Sequence, residues 1–228
     1  MRNCQLVLAL AVAGVLSASA HDGLAAGAPA AQPFTFSASA QGGASSHAGP
    51  ASLAACAACH GEQLQGDRTF EAPNLSVLQV WYMERQLRLY KQGLRAPEGS
   101  PNLPGRQMQP MAAVLDEAGI VAAARLVERV PERPSAPTLE GDAERGAALY
   151  GSCGTCHGAR GEGNQGFSAP RLAGQDDWYL VRQLRNYKAG IRGGRGDTSS
   201  ILMRASTGVL ADDSAIIDVV AHINTLAP

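Results

Sequence analysis

The chain has 228 residues, of which 45% are hydrophobic and 5% aromatic, and its formal net charge is -1 at pH 7. This length suits two small domains, and the charge argues against a nucleic-acid partner, because phosphate binding needs a clear basic excess. No stretch approaches the about 20 apolar residues that a membrane span requires. So few aromatic residues indicate that something other than side chains fills part of the interior.

The first 20 residues have the composition of an export signal. Arg2 supplies a positive start, residues 6–16 are apolar, and Ala18-Ser19-Ala20 offers a small-residue cleavage site. An uncleaved anchor is the alternative, and in either case the rest of the chain is expected outside the cytoplasm, in the periplasm. Residues 21–47, rich in Ala, Gly, Ser and Pro, are predicted to be a flexible leader.

From residue 48 onwards the chain repeats itself at an offset of 97 positions. The residues that recur at this offset are Cys56, Cys59, His60, Gly61, Phe70, Ala72, Pro73, Leu75, Trp81, Tyr82, Arg85, Gln86, Leu87, Arg88, Tyr90, Lys91, Gly93 and Arg95. So many identities at one offset indicate two domains of common fold. We predict a first domain over 48–130 and a second over 141–228, joined by a proline-rich linker at 131–140.

Each domain is predicted to be all-α, because no alternating strand pattern of useful length occurs. A first helix ends at the Cys-rich motif, and Asp142 is a suitable N-cap for it in the second domain. A middle helix is expected from near Leu78 and from near Asp177. The last helix is expected over 116–130 and 212–226, after a polar loop rich in Gly and Pro.

Two Cys-x-x-Cys-His motifs occupy equivalent places in the repeat, at 56–60 and at 153–157. Two cysteines three positions apart at a helix end can reach two vinyl groups on one edge of a porphyrin, and the imidazole of the next residue can then bind the iron. We therefore predict two covalently bound haem c groups. The predicted attachment residues are Cys56, Cys59, Cys153 and Cys156, and the predicted axial iron ligands are His60 and His157.

Two other uses of a Cys-x-x-Cys pair compete with haem attachment. A thioredoxin-like redox pair belongs to a βαβ context, which the pattern does not predict. A zinc site would need further Cys or His ligands, and outside the leader only His222 remains, without a counterpart in the first domain. The duplication of the complete motif in an exported chain favours haem.

Each iron needs a sixth ligand, for which Met108, Met111 and Met203 are the candidates. Met108 precedes Leu115 by seven residues, and Met203 precedes Leu210 by seven. Both leucines lead into the predicted last helix, so Met108 and Met203 are equivalent, whereas Met111 has no counterpart. We predict Met108 and Met203 as ligands, because each is expected in a polar loop rich in Gly and Pro, where a methionine that only fills the core is unusual. His/Met ligation is typical of electron transfer and leaves no open position on the iron.

Pro73 and Pro170 each stand thirteen residues after the predicted axial histidine. One interpretation is an ordinary loop proline. In the other, the proline carbonyl accepts the imidazole N–H and fixes the orientation of the ring, as residues behind a metal ligand commonly do.

Basic residues recur along the two middle helices. They are Arg85, Arg88, Lys91 and Arg95 in the first domain and Arg182, Arg185, Lys188 and Arg192 in the second. They form either a solvated helix face or, in part, a set of cations that neutralise haem propionates at the domain interface.

The two domains resemble the class I cytochrome c fold, and residues 48–228 resemble the di-haem cytochrome c4 family. The sequences that carry the resemblance are CAACHG and CGTCHG, APRLAGQ at 169–175, YLVRQL at 179–184, KAGIR at 188–192 and LADD at 210–213. The chain departs from that pattern after Leu75, where Ala-Gly-Gln is missing, and at His222, where an aromatic residue is usual. The resemblance implies two low-spin haems in a periplasmic protein that passes electrons between respiratory complexes.

Three functions follow from these expectations. The first is an electron carrier without catalytic residues, which accepts electrons from the bc1 complex or a dehydrogenase and delivers them to a terminal oxidase. The second is a cytochrome subunit of a periplasmic dehydrogenase complex. The third is an enzyme of the di-haem peroxidase or thiosulfate-oxidising type, which needs one open or unusual axial position, and two equivalent methionines argue against it.

Overall fold

The computed structural model describes residues 53–226. The predicted export signal, the leader and the first residues of the first domain therefore lie outside the described residues. Within 53–226 the chain forms α-helices and no strand, apart from isolated bridges between Asp67 and Ala72 and between Asn164 and Ala169. The prediction of an all-α fold is confirmed. In this part of the chain no helix has the length and apolar character needed to cross a bilayer.

The two domains contain matching sets of helices. In the first domain they are α1 (Leu53–His60), α2 (Val80–Lys91), α3 (Leu103–Ala113) and α4 (Glu117–Glu128). In the second they are α5 (Ala143–His157), α6 (Asp177–Lys188), α7 (Thr198–Ser206) and α8 (Asp213–Ile223). Single 3-10 turns occur at Gln165–Phe167 and Thr207–Val209.

The helices pack in the same order in each domain. The last helix contacts the first and middle helices, so α4 packs on α1 and α2 while α8 packs on α5 and α6. The third helix lies against the middle one, α3 on α2 and α7 on α6. The second-domain core is centred on Ile216, Val219 and Val220, which are at most 2% exposed. Burying each of these side chains contributes roughly 1.5–3 kcal/mol.

Aspartates set the starts of four helices, α7 among them. Asp116, Asp142 and Asp212 each accept a hydrogen bond from the backbone N–H three residues further on, at the first turns of α4, α5 and α8. The prediction of Asp142 as an N-cap is confirmed. The middle helix of the first domain begins at Val80, two residues after the predicted start, and α6 begins at Asp177 as predicted.

The segments that carry Met108 and Met203 are helices, and the prediction of loops there is wrong. Helix α3 follows Asn102, whose side chain accepts a hydrogen bond from the Gly105 N–H, and it holds a proline in its first turn. Helix α7 follows Asp197, which accepts from the Ser200 N–H. Gly, Pro and polar residues mask the periodicity of these short helices, but the capping residues form a detectable start signal.

The segment 131–140 has no regular structure and is held between the domains by side chains. Asn74 Nδ2 donates to the Arg133 carbonyl at 2.7 Å. Asp177 accepts hydrogen bonds from Thr138 and from the Leu139 N–H. Burial alone would raise the pKa of Asp177, but these hydrogen bonds outweigh it and lower the pKa below its usual range.

The crossing of α5 and α8 depends on a glycine. A Cβ at Gly146 would clash with the Asp218 carbonyl oxygen and lie 2.9 Å from the Cβ of His222. We expect Gly146→Ala to lower the free energy of unfolding by about 3 kcal/mol, because the helices must move apart. Gly151→Ala, in the same helix with no atom within 4 Å of the new Cβ, should raise it by about 0.5–1 kcal/mol. Thermal denaturation of both variants tests this, and equal effects would contradict it.

Candidate haem-binding sites

A cavity of about 380 Å³ lies inside the second domain. Its walls include the side chains that the sequence singled out, which are Cys153, Cys156, His157, Pro170 and Met203. These residues are distant in sequence and meet here because α5 ends at this cavity and α7 borders it. Core side chains of α6 and α8 complete the wall.

Both motif histidines end their helices, are buried and have their rings fixed by a proline carbonyl. His60 is 5% exposed and His157 is 6% exposed. His60 Nδ1 lies 2.7 Å from the Pro73 carbonyl oxygen, and His157 Nδ1 lies 2.7 Å from that of Pro170. A carbonyl only accepts, so each Nδ1 carries the proton and each Nε2 keeps its lone pair.

The protonation of these rings suits metal binding. Burial lowers the pKa of His60 and of His157 below the usual value, and the hydrogen bond to the proline carbonyl offsets this only in part. Both imidazoles are therefore neutral at neutral pH. A neutral imidazole with its Nδ1–H engaged presents Nε2 to an iron atom.

None of the four motif cysteines takes part in a disulfide among residues 53–226, so all four sulfurs are available for thioether bonds to haem. Cys56 and Cys153 are partly buried and pack against the domain cores, whereas Cys59 and Cys156 are exposed. Burial raises the pKa of Cys56 and Cys153 above the usual value. The sulfurs of Cys56 and Cys153 thus face the apolar interior, where haem attachment is expected.

The three candidate methionines differ in their surroundings. Met203 lines the cavity that also holds His157. Met108 is partly buried and packs against Tyr90 and its neighbours in a small core cluster. Met111, three residues later on the same helix, is 45% exposed. The surroundings therefore separate Met108 and Met203 from Met111.

Comparison with known proteins identifies the fold and the tandem arrangement. The family model described as cytochrome c matches this chain twice, over residues 46–128 and 143–227. The chain belongs to the cytochrome c family. Its relatives and structural neighbours include cytochromes c4, which confirms the resemblance to tandem, di-haem cytochromes of that type.

Three of the similar proteins bear on function. Cytochrome c4 of Azotobacter vinelandii is 31% identical over 72% of this chain and 81% of its own length. A protein of Stutzerimonas stutzeri named thiosulfate dehydrogenase electron acceptor is 30% identical over 80% of this chain and 83% of its own. The solved cytochrome c4 of Acidithiobacillus ferrooxidans is 28% identical, with a TM-score of 0.61 over 77% of this chain and 100% of its own. The present protein is thus a di-haem electron-transfer cytochrome with two covalent haem c groups.

The repeated basic residues of this cytochrome fall into two groups. Six of them have partners in the described structure: Arg85 with Asp197, Arg88 with Glu84 and Glu117, Lys91 with the Ala113 and Leu115 carbonyls, Arg182 with Glu71, Arg185 with Asp213, and Lys188 with the Leu210 carbonyl. Arg95 and Arg192 differ, because within residues 53–226 they donate only to neutral Gln and Tyr side chains and pair with no carboxylate. They lie just beyond the ends of α2 and α6 and are each 7% exposed.

Arg95 and Arg192 meet at the domain interface. Arg95 Nη2 donates to the hydroxyl of Tyr179 in the second domain at 2.7 Å, and Arg192 Nη2 donates to that of Tyr82 in the first at 3.1 Å. Both guanidinium groups also share one acceptor, Gln86 Oε1, at 2.5 and 3.2 Å. Two buried positive charges are thus close together without a carboxylate, an arrangement that costs several kcal/mol unless an anion neutralises it.

The unpaired polar atoms near this interface have a single chemical character. Among the described residues, the buried side-chain atoms without a hydrogen-bond partner are Gln86 Nε2, Arg95 Nε, Arg182 Nε, Asn186 Nδ2 and Arg192 Nε. Every one of these atoms is an N–H donor, so a ligand that pairs with them would supply acceptor oxygens. Arg192 and Tyr82 also line the cavity of the second domain. This site therefore fits haem, which carries two propionates.

Sequence reasoning treated the eight repeated basic residues alike. Only the position of Arg95 after Gly93, and of Arg192 after Gly190, distinguished these two arginines from the other six.

Proposed function

We propose that this protein is a periplasmic carrier that accepts and delivers one electron at each haem. In the first domain His60 and Met108 are the axial iron ligands, and in the second they are His157 and Met203. The observation that carries the proposal is that His157, Met203 and the attachment cysteines line one cavity. His/Met ligation fills both axial positions, so it favours electron transfer over catalysis at an open iron.

The protein side chains have defined tasks in this function. Bound haem supplies the one-electron redox couple. The neutral imidazoles of His60 and His157 offer Nε2, and Pro73 and Pro170 hold the rings through Nδ1–H. Arg95 and Arg192 would bind the propionates and keep their negative charges inside the domain interface. These contacts would hold each haem in a fixed orientation, which limits rearrangement when the iron changes charge.

A docking surface for redox proteins is supported by exposed apolar side chains at the second cavity. Phe167, Leu202 and Val209 line that cavity and are 60%, 63% and 50% exposed. In the first domain Phe70 and Val114 are also exposed. Apolar side chains of this size at the opening of a redox site suit brief contact with a partner protein.

The donor to this cytochrome is a dehydrogenase or the bc1 complex, and the acceptor is a terminal oxidase. A thiosulfate dehydrogenase is a specific candidate donor, because a relative covering most of the chain is named as the electron acceptor of such an enzyme. The export-signal composition of residues 1–20 supports a periplasmic location.

A turnover assay with the purified di-haem protein distinguishes the electron-carrier function from the enzyme function. Alone, it should neither reduce hydrogen peroxide nor oxidise thiosulfate catalytically. With a purified thiosulfate dehydrogenase added, thiosulfate should reduce both haems. Sustained turnover by the cytochrome alone would contradict the carrier function, and reduction only by other dehydrogenases would exclude thiosulfate dehydrogenase as the donor.

A further inference from the structure

The peptide group between Pro73 and Asn74 is hydrogen-bonded through both its carbonyl and its N–H. Its carbonyl accepts from His60 Nδ1, and its N–H, which belongs to Asn74, donates to Asp176 Oδ2 at 2.9 Å. Asp176 lies in the second domain, immediately before α6. One peptide group therefore connects the axial histidine of the first domain with a carboxylate of the second.

The equivalent peptide group in the second domain is bonded in the same way but to a different chemical group. The Pro170 carbonyl accepts from His157 Nδ1, and the Arg171 N–H donates to Gln79 Oε1 at 2.9 Å. Gln79 lies in the first domain, immediately before α2. Its side-chain nitrogen donates to the Glu162 carbonyl at 2.9 Å, which turns the amide oxygen towards Arg171.

The structure around both contacts is built for this close approach. Asp176 and Gln79 occupy N-cap positions, yet neither side chain caps its own helix. Gly66 and Gly163, which are 97 residues apart, make room for them. A Cβ on Gly66 would lie 2.5 Å from Asp176 Oδ2, and one on Gly163 would lie 2.8 Å from Gln79 Nε2. Both glycines have positive φ, 90° and 82°, a conformation that other residues rarely adopt.

The two contacts differ in charge within a similar geometry. Asn74 is fully buried and Asp176 is 9% exposed, so little water screens the carboxylate. Hydrogen bonds to a charged acceptor are stronger than those to a neutral one, and bonds in a chain strengthen one another. A carboxylate on the N–H side therefore makes the Pro73 carbonyl a better acceptor than the Pro170 carbonyl, which faces a neutral amide.

We propose that each domain tunes the axial histidine of the other through this peptide group, and that Asp176 gives the first haem the lower reduction potential. This inference rests on the axial ligation proposed above. A stronger acceptor at Nδ1–H makes the imidazole a more basic ligand, which stabilises oxidised iron. Asp176 and Gln79 are positioning residues, because they act on the iron only through the peptide group and the histidine.

A reciprocal exchange of charge tests the inference in the holoprotein. Asp176→Asn keeps an acceptor oxygen but removes the charge, and it should raise the potential of the first haem. Gln79→Glu adds a charge at the mirror position and should lower the potential of the second. Each should change the oxidised-to-reduced ratio of one haem about tenfold at fixed applied potential, equivalent to about 59 mV for one electron. The double variant should reverse the order of the two potentials.

Asp213→Asn is the matched control. This carboxylate also lies at the start of a second-domain helix, but it pairs with Arg185 at the surface and should change neither potential. Proton NMR of the reduced protein supplies an independent readout, because the Nδ1–H resonance of His60 should move in Asp176→Asn while that of His157 stays in place. A change in the potential of the first haem without a shift of the His60 Nδ1–H resonance would show that the charge does not act through the peptide group.

The outcomes separate this inference from the function on which it rests. If the wild type lacks two reversible one-electron steps, the proposed axial ligation is wrong, whatever the result for the cross-domain tuning. If those steps are present but Asp176→Asn and Gln79→Glu move both haems equally, or leave the Nδ1–H resonances unchanged, the cross-domain tuning is wrong. Gln79→Glu alters a partly exposed residue, so it gives a result even if Asp176→Asn impairs folding.

Discussion

Replacing Met203 with alanine is expected to leave the second iron with an open axial position. The side chain lines the same cavity as His157, and no other Met, His or Cys of the described second domain borders that cavity apart from the motif residues themselves. The reduced variant should bind CO at one haem, and the potential of that haem should fall, because the sulfur ligand that favours reduced iron is gone. Optical CO titration measures the stoichiometry, which should be one CO per chain.

Met111→Ala is the control for this experiment. Met111 is 45% exposed and should leave both haems unable to bind CO, whereas Met108→Ala should open the first haem alone. Opening of the first haem by Met111→Ala and not by Met108→Ala would show that the repeat identified the wrong methionine.

The double change Cys153→Ala and Cys156→Ala is expected to unfold most of the second domain. Leu180, Leu210 and Val219 belong to its core and also line the cavity, so without haem they would border an empty space. A void of about 380 Å³ would cost up to ~9 kcal/mol at the usual ~24 cal/mol per Å³. This is as large as the whole stability of a small domain, ~5–15 kcal/mol. Circular dichroism should show loss of about half of the helical signal.

Ser152, the exposed residue immediately before Cys153 in α5, provides a control for the same end of this helix. Ser152→Ala should retain two haems and the full helical signal, because the exposed hydroxyl donates to the Leu149 carbonyl of its own helix and its loss leaves both cysteines in place. An unchanged helical signal in the double cysteine variant, with one haem present, would show that the second domain folds without its cofactor.

Much of this site could be predicted because the repeat tests each residue twice. The identities at an offset of 97 match His60 to His157 and Pro73 to Pro170. Local helix geometry explains the spacing of the two cysteines and the histidine in each Cys-x-x-Cys-His motif. The helices around Met108 and Met203 escaped prediction because they are short and lie in polar surroundings rich in Gly and Pro, where only the capping residues Asn102 and Asp197 signal their starts. Helical periodicity needs several turns of apolar residues to be visible.

The contacts between the domains could not be predicted from either periodicity or the repeat. Asp176 faces Asn74 and Gln79 faces Arg171, yet these are positions at which the two halves differ in sequence. A repeat identifies the residues that both domains have in common, but it contains no information on which residues of one domain contact the other. For the same reason the pairing of Arg95 with Tyr179 emerged only from the structure.

A potentiometric titration of the wild-type protein, followed by its optical spectrum with and without CO, tests most directly whether both irons serve electron transfer. We expect two reversible one-electron steps, low-spin spectra throughout, and no CO binding by the fully reduced protein. The proposed ligands, His60 with Met108 and His157 with Met203, would fill both axial positions of each iron. Stoichiometric CO binding at one haem of the wild type would contradict the carrier function and favour a peroxidase-type enzyme.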